Sequence, residues 1–328
     1  MAWRLKLVPE KTNFDFLRWQ VLTFGLSAFL AVASVVVLLM NGLNYGIDFS
    51  GGTTIRTEAR TAVDVGAYRQ ALAGMDLGDV AITQVFDPTF RPDQHVAQVR
   101  IQAQEGSEAL SPETIAAVET ALKTVDPTIM FASVESVGPK VSGELIMTAI
   151  YAVLASLAGI SIYIWLRFEW QFAVGAFVSL LHDVLITVGV FALFQIKFDL
   201  TTIAALLTIL GYSINDTVVV FDRLRENLIK YKSVSLYDLI NLSVNETLSR
   251  TIMTSGTTLV ALIALLVLGG DVIRGFVFAI TFGIVIGTYS SIYVAKNLVY
   301  WLGVKRDWDK PEPTDVSPNG DTPFERMP

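Results

Sequence analysis

The sequence contains no cysteine and only two histidines, His95 and His182. Without cysteine the chain can form neither a disulfide framework nor a thiolate metal site, and two histidines argue against a multi-histidine centre. We therefore predict no metal ligands and no cofactor-binding residues.

Charge is scarce as well. Only 17% of the 328 residues are Asp, Glu, Lys or Arg, against about 25% in soluble globular domains. The net charge of -7 disfavours nucleic acid as a partner, because nucleic-acid binding requires a basic surface. With 52% hydrophobic residues and a mean hydropathy of +0.53, the composition indicates a membrane protein.

Catalytic motifs are also missing. There is no nucleophile–histidine–acid set, no P-loop and no HExxH. The glycine-rich stretch Gly46–Gly52 is not a nucleotide fingerprint, because no strand precedes a GxGxxG pattern and no lysine follows. Glycines at a junction of this kind more often serve turns or hinges. We predict no catalytic residue, and we do not expect an enzyme.

What the chain does contain is six apolar runs long enough to cross a bilayer. They cover residues 20–40, 145–166, 171–193, 199–221, 252–268 and 275–301. The first run is too long for the apolar core of a signal peptide, so we predict that it is retained. Most basic residues between the runs fall on one side, although Lys197 and Arg274 fall on the other. This bias predicts that both termini are cytoplasmic.

These runs divide the chain into domains. We predict a cytoplasmic segment 1–19, a transmembrane helix 20–40, an external domain 41–143, a five-helix transmembrane bundle 144–302 with a cytoplasmic loop 222–250, and a disordered cytoplasmic tail 303–328.

The external domain alternates strand and helix patterns. Strands are predicted at Thr53–Glu58, Val80–Phe86, His95–Ile101 and Ile129–Val137. One helix is predicted from Thr61 to Met75, with Asp64 completing a capping box, and another from the cap Ser111, with Pro112 first, to Val125. The order βαββαβ is that of the ferredoxin-like split arrangement.

The most informative residue is Asp216, which lies in the apolar run 199–221 about 9 Å from its charged end at a rise of ~1.5 Å per residue. A carboxylate near the centre of a membrane helix costs about 2.5–3.5 kcal/mol and marks proton or ion paths. Tyr212 and Ser213 share its helix face. We predict a functional polar site here rather than a structural one.

Two further polar groups accompany Asp216. His182 and Asp183 lie within the run 171–193, where they serve either as hydrogen-bonding contacts between helices or as part of the same polar relay. Arg250 opens the fifth run, where it is either an ordinary cytoplasmic anchor or the partner of Asp216. Because a nearby arginine stabilises an ionised carboxylate, a change in their separation would couple protonation to helix position.

Small residues recur every four positions in the last run. This pattern permits close approach of helix backbones, so we predict a packing surface, either within the bundle or against a partner subunit. The stripe comprises Gly275, Ala279, Gly283, Gly287, Ser291 and Ala295.

Several motifs together resemble the SecF family of protein-export membrane proteins. They are Gly46–Gly52, Val137-Gly138-Pro139 with Glu144-Leu145, Arg167-Phe168-Glu169-Trp170, Leu181-His182-Asp183-Val184, Gly211 to Arg223, and Ser249-Arg250-Thr251 with Thr254 to Thr258. The resemblance extends from the first apolar run to about Leu302, and the motif around Asp216 is long and specific.

The resemblance implies half of a transporter like those of the RND superfamily, paired with a SecD-like subunit in the bacterial inner membrane. It also implies that the SecYEG translocon and unfolded preproteins are partners, and that the proton-motive force drives export with protons as the coupling ion. The family's coupling residues match Asp216 and Arg250, with Tyr212, Ser213, Asn215, His182 and Asp183 as a relay.

Protonation of Asp216 would then change its pairing with Arg250 and shift the helices. The external domain would swing on two hinges, one at Gly51 and Gly52 and one at Gly138 and Pro139.

Two other classes of function are weighed against this one. A small-molecule exporter of the RND type would share the intramembrane acid, but usually carries both six-helix halves and larger external domains on one chain. A passive scaffold would keep the packing stripe and tolerate Asp216→Asn. An intramembrane hydrolase is the least favoured, because the sequence contains no catalytic set of residues.

Overall fold

The computed structural model describes residues 12–103 and 110–304. The tail 303–328 was predicted to be disordered, and all of it except residues 303 and 304 lies outside the described residues. Positions 1–11 of the N-terminal segment also lie outside them. Residues 12–19 lie against the fifth membrane helix, where the amide of Phe14 donates to Asn245 Oδ1 at 2.8 Å and Asn245 Nδ2 donates back to the Phe14 carbonyl.

The first long helix, α1, covers Gln20–Asn41 and ends before Gly42, whose φ of 65° suits glycine. A two-residue strand β1 (Asn44–Tyr45) follows, and the glycine-rich stretch Gly46–Gly52 then contains a single helical turn, α2 (Ile47–Ser50). The chain therefore changes direction several times between the membrane helix and the domain.

A four-stranded antiparallel sheet with two helices follows. Its elements are β2 (Gly52–Ala59), α3 (Val65–Leu72), β3 (Val80–Val85), β4 (His95–Gln102), α4 (Pro112–Lys123) and β5 (Met130–Val137). The strand order in the sheet is β3-β4-β2-β5, and every neighbouring pair is antiparallel. Alternating apolar residues of the strands and one face of each helix form a core that includes Ile55, Tyr68, Val99 and Leu122.

One helix start in this domain was predicted wrongly. The hydroxyl of Ser111 accepts from the amide of Thr114 and Pro112 is the first residue of α4, as predicted. However, α3 begins at Val65 with Asp64 as its N-cap, not at Thr61. The Thr61 hydroxyl instead donates to the buried carboxylate of Asp126, so Thr61 lies outside the helix.

The chain then enters the bundle. Helix α5 (Pro139–Arg167) has Gly138 as N-cap and Pro139 at its first position, where the missing N–H is no loss. Helix α6 (Trp170–Phe194) is followed by a two-residue strand, β6 (Lys197–Phe198), that pairs in parallel with β1. Helix α7 (Leu200–Lys230) starts from a capping box formed by Asp199 and Thr202.

The last helices are α8 (Leu236–Leu268), α9 (Asp271–Ser290), a π-helical segment at Ser291–Ala295, and α10 (Lys296–Leu302). The predicted loop 222–250 is therefore wrong, because only residues 231–235 separate α7 from α8. The charged side chains in this region pair between the helices instead: Arg223 Nε lies 2.7 Å from Glu246 Oε2.

Six helices of the described chain are long and apolar enough to cross a membrane, counting 271–302 as one. The architecture is therefore that of a multi-pass α-helical membrane protein. Helices α6 and α7 are the most buried, and α1, α5, α8 and α9 pack around them. Polar residues at the centre of α6 and α7 are thus enclosed by protein.

Candidate functional site

Asp216 lies on the buried face of α7 and is 3% exposed. Its carboxylate accepts one hydrogen bond, from Ser255 Oγ of α8 at 3.3 Å. The same Ser255 hydroxyl lies 2.8 Å from Thr288 Oγ1 of α9. Three helices therefore meet at Asp216, but the described residues supply a single donor to a carboxylate that can accept about four hydrogen bonds.

Asp183 is a second buried carboxylate, on α6, and is far better satisfied. It is 0% exposed. Its Oδ2 accepts from Ser213 Oγ at 2.6 Å and from Ser290 Oγ at 2.9 Å, while Oδ1 lies 3.0 Å from His182 Nδ1. Ser179 donates in turn to Ser290 at 2.9 Å.

Ser213, the donor to Asp183, lies one turn before Asp216 on the same face of α7. The two carboxylates therefore have α7 residues of one face in common. Of the other predicted relay residues, Tyr212 is half-buried and its hydroxyl lies 3.4 Å from Thr258 Oγ1. Asn215 is exposed and is not brought into either centre.

The structure does not join Asp216 to Arg250 directly. Their helices α7 and α8 are neighbours, yet no ion pair within 4.0 Å links the two side chains among the described residues, and Arg250 is exposed. Thr251 follows Arg250 on α8 and lies one turn before Ser255, and its buried hydroxyl has no hydrogen-bond partner among the described residues.

His182 extends the group of polar side chains from Asp183 toward α1, away from Asp216. Its Nε2 is buried without a partner, and its ring stacks on that of Tyr289 with centroids 6.4 Å apart. The Tyr289 hydroxyl donates to the carbonyl of Thr23 in α1 at 2.9 Å. Side chains from α1, α6, α7, α8 and α9 are thus linked through the interior of the bundle.

The small-residue stripe of α9 packs against α7. A side chain at Gly283 would meet Ile209, and one at Gly287 would meet Ser213. Gly275 is less tightly enclosed, and Ser291 begins the π-helical segment, where the fourfold spacing along α9 ends. The stripe therefore brings α9 close enough for Ser290 to donate to Asp183 and for Thr288 to contact Ser255, the donor to Asp216.

The predicted hinge residues lie where the domain joins the bundle. Gly51 and Gly52 have φ of 68° and 126°, which L side chains rarely adopt. Gly138 caps α5 and Pro139 begins it. Both connections run side by side, because β2 pairs with β5 from Gly52 and Val137 onward.

Sequence reasoning missed the serines and threonines that complete the site on other helices. Ser179, Thr288 and Ser290 are small polar residues in apolar runs, which is a weak signal, since such residues also bond to their own helix backbone. Among the described residues, no group of three or more His, Asp or Glu side chains is arranged to hold a metal ion.

The fold and this site define a class: a multi-pass membrane protein with a polar centre of buried carboxylates inside its helix bundle. Models of two families match the chain. One describes the C-terminal part of the protein-export membrane proteins SecD and SecF and matches residues 117–305, and the other describes the SecD/SecF GG motif and matches residues 36–63. The chain belongs to the SecF family of protein-export membrane proteins.

Relatives along the full length carry the same description. A protein translocase subunit SecF of Cereibacter sphaeroides is 71% identical and the match covers 94% of this chain and 96% of the relative. One from Rhodobacter capsulatus is 64% identical over 96% of both chains. A subunit SecDF of Brucella abortus is 42% identical, but the match covers 95% of this chain and 40% of the relative.

A solved structure is also similar. The crystal structure of SecDF from Thermus thermophilus, described as a translocon-associated membrane protein, superposes with a TM-score of 0.79 at 38% identity. The match covers 90% of this chain and 39% of SecDF, so the chain spans about two fifths of that protein.

Proposed function

We propose that this chain is the SecF half of a proton-driven device that helps preproteins complete their passage across the bacterial inner membrane. A SecD-like subunit is its partner, since the SecDF relatives join a SecF-like part to a further part of a longer chain. The SecYEG translocon and the emerging unfolded preprotein are the proposed contacts of this pair.

The proposed topology places both termini in the cytoplasm and residues 41–143 outside. Two observations support it. Residues 12–19 lie against the same end of α8 as the charged α7–α8 connection, and the domain lies at the opposite end of the bundle. For the domain we propose the ferredoxin-like fold, because a βαββαβ element order with strand order β3-β4-β2-β5 is that arrangement.

The observation that carries the proposal is the incomplete hydrogen bonding of Asp216. A buried ionised carboxylate needs pairing, and Asp216 has a single donor in Ser255. Either Arg250 approaches it or a proton neutralises it. The buried hydroxyl of Thr251, next to Arg250 and one turn before Ser255 on α8, offers a further polar position on this face of the helix.

Cyclic protonation of Asp216 would then shift α7 and α8 relative to α9. A proton that crosses the membrane releases about 2.3 kcal/mol per 100 mV, which is the energy available to move the external domain. Gly51 and Gly52, with Gly138 and Pro139, are the proposed hinges of that motion, since both connections to the sheet pass through them.

The test is secretion of a reporter preprotein in cells whose only copy carries Asp216→Asn, with membrane abundance measured in parallel. We expect normal abundance and loss of the part of export that depends on the proton-motive force. The matched control is Asp222→Asn, six residues further along α7, because Asp222 is 48% exposed and pairs with Arg167 at the surface.

Normal export by Asp216→Asn would overturn the coupling role and favour a passive scaffold. Equal loss in both variants would instead mean that any change of charge on α7 disrupts assembly.

A further inference from the structure

An apolar cavity of about 280 Å³ opens at the domain end of the bundle. It lies between α5, α6 and α7, and the segment Leu43–Phe49 covers it. Its lining includes Ala149, which is buried and marks its base, and Val188 of α6. Ile150 and Leu154, which are 46% and 57% exposed, mark its mouth. Because these helices cross the membrane, the mouth faces the acyl chains of the outer leaflet in the proposed topology.

A polar cavity of about 310 Å³ adjoins it and shares two of its lining residues, Leu43 and Tyr45. Arg100 of β4 lies in its wall and donates from Nη1 to the carbonyl of Tyr45 at 3.1 Å. Arg100 forms no ion pair with a carboxylate in the part of the chain that the structure describes, although Asp79 is also in the wall. The guanidinium therefore has donors left for an anionic ligand.

Lys197 adds a second cation nearby. Its side chain lies over Gly46, where a Cβ would be 3.0 Å from Lys197 Cε, and its ammonium is 3.5 Å from Asp199. Tyr45 stands between the two cavities and is half exposed, the position that an aromatic ring with a polar tip takes at a membrane surface.

We propose that the two cavities together bind one glycerophospholipid, with an acyl chain in the apolar cavity and the anionic phosphate beside Arg100. The apolar cavity is close to the smallest size of small-molecule pockets, about 300 Å³, so it accommodates part of one chain. Guanidinium groups form charge-assisted, often bidentate hydrogen bonds to phosphate.

A hydrophobic peptide suits this site less well than a lipid. Apart from Tyr45, the apolar cavity is lined by hydrocarbon side chains, and an extended peptide placed there would leave most of its own N–H and C=O groups without partners. An acyl chain has no such groups. The proposal is independent of proton coupling at Asp216, since none of the lining residues belongs to that centre.

The test uses the purified full-length chain in detergent with phosphatidylglycerol that carries a diazirine on one acyl chain. After irradiation, mass spectrometry maps the labelled peptides. We expect label on α5 near Ile150 and on α6 near Val188. Ile150→Trp, which narrows the mouth without entering the buried core, and Ala149→Phe, which fills the base, should each abolish it. Ala155→Phe is the matched control on the exposed face of the same helix and should keep it.

The headgroup part is tested by retention of phosphatidylglycerol in native mass spectrometry. Arg100→Gln should reduce retention roughly tenfold for the loss of one charge-assisted contact, whereas Arg91→Gln, an exposed arginine of the same domain, should leave it unchanged. Equal retention of an uncharged diacylglycerol would overturn the headgroup assignment.

Three other results would overturn the proposal as a whole. Labelling that survives both Ile150→Trp and Ala149→Phe would show that the label comes from lipids that surround the bundle without entering the cavity. Displacement of the lipid when the chain is purified with its SecD-like partner would make the cavity a subunit contact. Displacement by an apolar preprotein peptide would make it a peptide site.

Discussion

At the scale of single residues, the two buried aspartates differ in what surrounds them. Asp183 has partners on both carboxylate oxygens, from His182, Ser213 and Ser290, whereas Asp216 has Ser255 alone. A fully bonded network rigidifies its neighbourhood, and a carboxylate with open acceptor positions can change partners. We therefore assign Asp183 to holding the helices together and Asp216 to the proposed proton exchange.

This division predicts that only the Asp183 substitution lowers stability. Asp183→Ala should lower the free energy of unfolding by about 1–3 kcal/mol, because it leaves the Ser213 and Ser290 hydroxyls buried without their acceptor. Asp216→Asn should leave it nearly unchanged, because an amide oxygen can still accept from Ser255. Thermal unfolding in detergent measures both. A destabilised Asp216→Asn alongside a stable Asp183→Ala would reverse the assignment.

A third carboxylate, Asp126, makes the domain's stability depend on pH. The hydroxyl of Thr61 lowers the pKa of Asp126 below its usual range, and Thr128 adds to the effect. A carboxylate with a lowered pKa stabilises the fold above its unfolded pKa of about 3.9 and loses that contribution as pH falls through the folded value.

Thr61→Val should therefore destabilise the domain by about 1.5–3 kcal/mol at pH 7, and the difference from the unsubstituted chain should shrink below about pH 4. Hydrogen exchange of the β2 and β5 amides in the full-length chain measures it. Thr120→Val is the control, since its exposed hydroxyl bonds only to its own helix. A difference that stays constant with pH would show that Asp126 is not its cause.

At the scale of helices and strands, the sequence located the membrane spans but not the ends of the helices. Because hydropathy falls where charged residues begin, the sequence predicted that the fourth apolar run ends at residue 221. The helix α7 continues to Lys230. Its continuation is stabilised by contacts that no local pattern reveals, such as the hydrogen bonds from Asn227 Nδ2 to Ser243 and Glu246. The pairing of β1 with β6 was missed for the same reason, because it joins residues 153 positions apart.

The candidate site, like the helices, could be predicted only in part from the sequence. An aspartate in an apolar run is conspicuous because of its cost, and this cost alone singled out Asp216 and Asp183. Its partners are not conspicuous, since a serine in a membrane helix costs little. Which serines face the carboxylates depends on how α9 packs, and that depends on the whole bundle.

Close packing of α9 on α7 makes its own prediction. A Cβ at Gly283 would lie 2.9 Å from Ile209 Cγ2 and closer still to two other atoms of that side chain. Isoleucine is stiff at χ1 in a helix and cannot easily move aside. Gly283→Ala should therefore destabilise the bundle by about 1–3 kcal/mol.

The control is Gly256→Ala in α8, where no atom lies within 4 Å of the added Cβ. There the substitution should be neutral or stabilise by up to about 1 kcal/mol, because alanine is the better helix former. Thermal unfolding of both variants decides the matter, and equal effects would contradict the packing role of the stripe.

At the scale of the whole molecule, the domain formed by β2–β5 touches the bundle away from the chain connections. Just after β3, the amide of Phe86 donates to Asp271 Oδ2 at 2.6 Å, and the amide of Asp271 donates to the Phe86 carbonyl at 3.2 Å. The neighbouring Asp87 lies against Gly270, leaving no room for a side chain there. This contact between Phe86-Asp87 and Gly270-Asp271 must open if the domain swings on the proposed hinges.

A disulfide across this contact tests that requirement. A Cβ at Gly270 would lie 3.2 Å from the Cβ of Asp87, near the separation of about 3.5–4.5 Å found in disulfides. The chain has no cysteine of its own, so Asp87→Cys with Gly270→Cys would form the only cross-link. Oxidation should hold the domain on the bundle and stop export of the reporter preprotein, and reduction should restore it.

The reduced double variant controls for the substitutions themselves, because Gly270→Cys alone would collide with the Asp87 carboxylate. Thr53→Cys with Ser136→Cys controls for oxidation, because these residues face each other across β2 and β5 and a disulfide there stays within the domain. We expect this second pair to export equally well when oxidised and reduced. If the Asp87–Gly270 cross-link forms and export continues, the domain does not leave this contact during the cycle, and the proposed swing on Gly51, Gly52, Gly138 and Pro139 is wrong even if Asp216 carries protons.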